Sequence, residues 1–181
     1  AGFISGRGSY GGSTITQQLI KNITGENDIR IQRKLQEIMR ALYLDKTKDK
    51  TEILELYLNT IYLSQGCYGV QAAANVYFDK DVSELTLVEC AALASITQAP
   101  TKWDPIQNPE NNEFRRKTVL DEMYKLGKIT YTEWQEARNS ELVLAKNNNL
   151  VEGDDPSQND EDYNTWYTDA VINSIIDRLV E

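Results

Sequence analysis

Two short clusters in this chain hold residue types that can bind and stabilise charge. Ser13, Gln17, Gln18 and Lys21 fall within residues 11–22, GGSTITQQLIKN, and Arg33, Lys34 and Glu37 fall within residues 30–45. Gly11 and Gly12 clear side chains from the approach to a helix start, where unpaired amides carry partial positive charge. Lys21, Arg30, Arg33, Lys34 and Arg40 are close in sequence, with one carboxylate, Glu37, among them. The chemistry open to such a set is electrostatic stabilisation of a bound anion. The plainer alternative is a capped helix followed by a solvated charged face whose ion pairs contribute little.

These residues need helices to position them. Thr14 and Gln17 have capping-box spacing, so a helix starts at residue 15, with Ile15, Leu19 and Ile23 as its apolar stripe. Gly25, Asn27 and Asp28 form a turn, and Asp28 can cap the next helix. There Ile31, Leu35, Ile38 and Leu42 are spaced by four, three and four, which predicts a core stripe with Arg30, Arg33, Lys34 and Glu37 on the opposite face. A third helix spans 52–62, with Ile53, Leu54, Tyr57, Leu58 and Ile61 inward. Glu55 and Asn59, one turn apart on it, read as architectural rather than catalytic.

Gly66 and Gly69 mark a tight connection over 64–69, and 70–78 is helical again. Ser83 caps a largely buried helix over 84–94. Farther on, Phe114, Val119, Leu120, Met123 and Leu126 form the stripe of a helix that Gly127 stops. Residues 142–144 are the only candidate for a short strand. Asp, Asn, Gly and Pro dominate 147–162, so 1–138 reads as one domain, 139–162 as a linker or exposed loop, and 163–181 as a helical segment. The fold class is mainly α.

Composition narrows the partners. The chain has 181 residues, enough for one sizeable core, and a net charge of −9, with 28 Asp and Glu against 19 Lys and Arg. That balance argues against a nucleic-acid binder. No histidine is present, which removes histidine bases and histidine metal ligands. Cys67 and Cys90 read as small core residues rather than a disulfide framework. The longest apolar run, around 87–96, is too short to span a bilayer.

The stretch GGSTITQQLIKN resembles the second motif of the family 51 glycosyltransferases, the peptidoglycan polymerase domain of class A penicillin-binding proteins and of monofunctional transglycosylases. RKLQEIMRALYLDK resembles the third motif, KTEILELYLN the fourth, and RRKTVL the fifth, all in family order. Trp103, Asp104 and Pro105 depart mildly from the family's Tyr-Asn-Pro pattern. The first motif, a Glu-Asp pair followed by Phe, His and Gly, does not occur in these residues, and the resemblance places it upstream, together with a membrane anchor. The chain therefore reads as an N-terminally truncated domain whose parent continues into a transpeptidase domain.

The resemblance implies a lysozyme-like helical fold. It also implies transfer of a growing lipid-linked glycan strand to the 4-hydroxyl of lipid II, with inversion and release of undecaprenyl pyrophosphate, at the extracytoplasmic face of a bacterial membrane. Glu37 then takes the role of the third-motif functional glutamate. Ser13, Gln17, Gln18, Lys21, Arg33 and Lys34 become donor contacts, and Arg115 and Arg116 candidate substrate contacts. A divalent cation, Mg²⁺ or Mn²⁺, is implied by the family and not by any ligand spacing. Expected partners are lipid II, the glycan strand, the membrane surface and cell-wall synthesis proteins. Without the first-motif glutamate, these residues are expected not to polymerise lipid II alone. Two other readings remain open: a non-catalytic module that docks lipid pyrophosphate or a cell-wall complex, and a lysozyme-like enzyme that cleaves peptidoglycan.

Overall fold

A computed structural model describes residues 13–25 and 31–145. The expected Asp28 cap and the segments at 147–162 and 163–181 lie outside the described residues. Seven α-helices appear among them: α1 (Ile15–Thr24), α2 (Ile31–Thr47), α3 (Lys50–Thr60), α4 (Val70–Phe78), α5 (Leu87–Ile96), α6 (Pro109–Lys125) and α7 (Tyr131–Asn139). A 3₁₀ turn, Val82–Glu84, precedes α5. The described residues hold no strand, only one antiparallel bridge between Tyr62 and Tyr68, so residues 142–144 do not form one. The backbone contacts group these elements into two units divided after Thr60.

In the first unit, local chemistry sets each helix start. Thr14 Oγ1 accepts from the Gln17 amide at 3.2 Å, and Gln17 Oε1 accepts from the Thr14 amide at 3.1 Å. Helix α1 closes at Gly25, whose φ of +62° suits glycine and lets its amide donate to Lys21 O. Asp49 accepts from the Thr51 and Glu52 amides and so opens α3. Helix α1 packs on both α2 and α3. The buried side chains are Leu19 and Ile20 of α1, Ala41 and Leu44 of α2, and Ile53 and Tyr57 of α3.

Two expectations are corrected here. On α1 the buried face is Thr16, Leu19 and Ile20, and Ile15 is exposed. On α2 the expected faces are reversed: Ile31 is 75% exposed, Leu35 61%, and Leu42 is also exposed, while Glu37 is buried. The reason is polar pairing across helices. Thr16 donates its hydroxyl to Asp45 at 2.7 Å, and Lys34 donates to Ser13 Oγ at 3.1 Å. Those bonds turn the charged side of α2 toward α1.

The second unit begins with a loop in which Ser64, Gln65 and Gly66 all have positive φ, at 67°, 51° and 69°. Two non-glycine residues in that region cost backbone strain, and the surroundings must hold it. Asp104, fully buried, does so. Its Oδ2 accepts from Gln65 Nε2 at 2.6 Å, and its Oδ1 accepts from the Ile106 and Gln107 amides at 2.7 and 3.0 Å. Tyr77 donates to Leu63 O at 2.9 Å and lies 3.4 Å from Asp104 Oδ2. Burial, then the charge of Asp104, drives the Tyr77 phenol far above its ordinary value; the same two causes push the Cys67 thiol up to about 11. Cys67 is buried, but Cys90 is exposed on α5, against expectation.

Helix α5 is capped by Thr86, not Ser83, with Thr86 and Glu89 in a reciprocal capping box. It lies against α6, with Val88, Ala91, Leu120 and Ala137 at the centre of a core that Trp134 and Leu142 flank. Helix α6 also buries a polar side: Asn112 and Arg116 join Leu120 inside, while Phe114, 70% exposed, and Leu126 leave the expected stripe. Asn112 Nδ2 donates to Ala92 O at 3.2 Å and to Trp103 O at 2.7 Å, which accounts for its burial.

Asp104→Ala should lower unfolding stability by about 3 kcal/mol or more, because several buried donors lose their acceptor together; urea denaturation measures it. Glu89 gives a pH signature. Burial raises its pKa, but bonds from Lys80 and Thr86 outweigh this and leave the folded value below the ordinary 4.5. Its contribution is therefore full above pH 4.5 and is lost as pH falls through the folded value. Thermal melts from pH 6 down to about 3 should show this slope, shallower in Glu89→Gln.

Candidate functional site

The first unit brings together most of the polar residues singled out in the sequence. Helix α2 carries Arg33, Lys34 and Glu37 at i, i+1 and i+4, so the cations and the carboxylate share one surface. Glu37 is only 5% exposed, and both its oxygens are engaged. Arg33 NH1 lies 3.1 Å from Oε2, and Lys34 Nζ pairs with Oε1. Lys34 Nζ also donates to Ser13 Oγ at 3.1 Å, which ties the residue just ahead of the α1 cap to α2. Gln18 Nε2 donates to Ser13 O at 3.3 Å, and Tyr57 OH donates to Gln18 Oε1 at 3.3 Å. A single network thus runs from α3 through α1 to Glu37.

Gln17 is used differently. Its side chain completes the α1 capping box, so it fixes the helix start that Ser13 precedes. Lys21 is exposed in the last turn of α1 and makes no ion pair among the described residues. Arg115 and Arg116 belong to the second unit. Arg115 lies over the Trp103 ring at 6.0 Å with its Nε buried and unbonded, and Arg116 is buried on α6. Glu55 and Asn59 are exposed on α3 and hold no loop by hydrogen bond among the described residues.

Electrostatics decide what this arrangement can do. A carboxylate taken out of water stays ionised when cations and hydrogen bonds come with it, and here two cations meet one carboxylate. An ammonium has three donors; Lys34 uses two, on Ser13 and Glu37, and one remains for an incoming oxygen. Each Glu37 oxygen accepts from one of the two cations, so the carboxylate holds both in place. Among the described residues no group of three acidic, histidine or cysteine side chains gathers, and the Glu37 oxygens accept from Arg33 and Lys34.

Sequence reasoning missed two acidic groups that hold this architecture. Asp45 fixes α2 on α1, and Asp104 fixes the loop at 64–66. Each acts on a residue 29 or 39 positions away, so no local spacing signals it.

Comparison with known proteins is consistent with these motifs. The family model described as Transglycosylase matches residues 1–124. Penicillin-binding protein 1A of Aquifex aeolicus is 47% identical over 144 residues, covering 80% of this chain and 20% of the relative. The protein of the same name from Vibrio cholerae is 46% identical, covering 78% of this chain and 17% of the relative. Penicillin-binding protein 1F of Bacillus subtilis is 44% identical, covering 74% and 19%. Among solved structures, Penicillin-binding protein 1A from Haemophilus influenzae matches with a TM-score of 0.52 and 35% identity, over 72% of this chain and 17% of that one. The chain thus spans a fifth or less of the length of the curated relatives named here.

The buried pair can be tested directly. A double-mutant cycle on Lys34→Met and Glu37→Gln should give a coupling of about 1–3 kcal/mol in denaturant unfolding. The more exposed Lys48–Glu52 pair, at i, i+4 spacing and 2.9 Å, should couple more weakly. Equal coupling in the two pairs would mean that burial of Glu37 adds nothing.

Proposed function

This chain belongs to the transglycosylase family, and from that premise we propose that residues 13–37 form the donor side of a peptidoglycan glycosyltransferase. The observation that carries the reading is the cationic cluster built on Glu37: Lys34 bridges Glu37 and Ser13, and Arg33 takes the second carboxylate oxygen. A polymerase that uses a lipid pyrophosphate donor has to stabilise negative charge as the anomeric carbon–oxygen bond breaks. Lys34 and Arg33 supply fixed positive charge for that pyrophosphate, and Lys21 adds a mobile one. Ser13 and Gln18, oriented by Lys34 and Tyr57, offer hydrogen bonds to phosphate or sugar.

The bond that forms joins the anomeric carbon of the lipid-linked strand to the 4-hydroxyl oxygen of lipid II. The hydroxyl proton goes to a base, which the family supplies from its first motif, outside the sequence of these residues. Glu37 serves as the positioning carboxylate: it keeps both cations aimed. The substrate places the reaction at the extracytoplasmic membrane surface, with cell-wall synthesis proteins as the natural associates. Among the described residues no helix is long and apolar enough to cross a membrane.

Two measurements test the proposal. In the full-length enzyme, Glu37→Gln should reduce lipid II polymerisation by about 100-fold or more, the scale for loss of a preorganised electrostatic group; a normal rate overturns the assignment. In the 181-residue chain, inorganic pyrophosphate should bind about tenfold more weakly to Lys34→Met than to wild type, a loss on the scale of one charge-assisted hydrogen bond. Release of soluble muropeptides from peptidoglycan, with no polymer formed from lipid II, would instead assign a cleaving enzyme.

A further inference from the structure

The second unit contains a cavity of about 470 Å³ that the donor-side reading does not use. It opens between the first turns of α6, the end of α7 and the segment 140–144, and Glu110, Arg116, Ser140, Glu141 and Leu144 are on its wall. Its size falls within the usual range for small-molecule sites.

Arg116 is the unusual feature. It is 4% exposed, yet its Nε has no hydrogen-bond partner. Burial pulls its pKa down and the charge of Glu113 pushes it up, and the guanidinium remains cationic at neutral pH. No carboxylate pairs with it among the described residues. Glu113 is committed to Lys117 at 2.5 Å, and the neighbouring Arg138 is committed to Asp121 at 2.7 Å. A buried guanidinium is normally paired, because its donors lose water without replacement. Its planar fork matches a carboxylate.

The rest of the wall selects among anions. Glu110 and Glu141 also have no ion-pair partner among the described residues. One buried, unpaired cation and two exposed, unpaired carboxylates therefore share this wall. That balance disfavours phosphate or another compact polyanion, and the buried arginine disfavours a simple cation. A ligand that carries both a carboxylate and an ammonium satisfies both. We propose that this cavity binds a short zwitterionic peptide, with its carboxylate on Arg116 and its ammonium toward Glu110 and Glu141. The inference does not rest on the polymerase reading, because it uses none of the residues around Glu37.

The test compares triglycine with triglycine amide and with N-acetyl-triglycine, read from amide chemical shifts of the 181-residue chain. Triglycine should give saturable shifts at 110–117 and 138–144. The amide, which lacks the carboxylate, should bind at least about tenfold more weakly. Arg116→Lys keeps the charge and loses the fork, and should weaken triglycine by a similar factor. If that variant does not fold, the two peptide derivatives and the exposed pair Glu110→Gln with Glu141→Gln still decide the matter. The double glutamine variant should weaken triglycine and leave N-acetyl-triglycine unchanged. The proposal is overturned by equal affinity for triglycine and its amide, by inorganic phosphate binding as tightly as triglycine, or by no saturable shift up to about 20 mM peptide.

Discussion

A carboxylate removed from water needs its counter-charges within reach, and in the first unit Glu37 brings that requirement into the packing of three helices. Arg33 and Lys34 answer it from the same helix, but Lys34 is itself held by Ser13, Ser13 by Gln18, and Gln18 by Tyr57. Helix orientation is thus set by where polar groups find partners at least as much as by where apolar groups find cover. A hydrophobic core alone would have allowed α2 to rotate. The Lys34–Ser13 and Thr16–Asp45 bonds do not.

The same constraint explains what was readable from the chain and what was not. The mainly α class and helices α1 to α6 followed from periodicity, while α7 did not, and α4 runs over the expected residues. The Thr14–Gln17 box marks the start of α1 exactly where spacing alone put it. The faces of α2 and α6 did not follow, because an apolar stripe at helical spacing is evidence of burial only when no polar pairing competes. Glu37 and Asn112 each have partners that compete, in Lys34 and Arg33 and in the carbonyls of Ala92 and Trp103. Ser83 was the expected cap, but the 3₁₀ turn at Val82–Glu84 uses Ser83 and leaves Thr86 to open α5.

Site residues divided along the same line. Those on one helix, Arg33, Lys34 and Glu37, were legible because i, i+1 and i+4 place them together whatever the fold does. Ser13 and Gln18 were legible through the resemblance of their motif. Asp104 was not: in sequence it showed only as a mild departure from a family pattern, and its role appears only once residues 63–77 have folded back on it. Arg116 was visible as one of a pair, but its burial was not, since an arginine two turns into a polar helix reads as solvated.

The outward stripe of α2 has a consequence for how the molecule behaves in solution. Ile31, Leu35, Met39 and Leu42 present a continuous oily edge, while the chain as a whole carries −9. The charge keeps copies apart at long range, and the edge favours contact once they touch. Added salt weakens only the first of these, since the screening length shrinks from about 10 Å at 0.1 M to about 3 Å at 1 M. Raising the ionic strength therefore favours contact between copies of this chain at a given protein concentration.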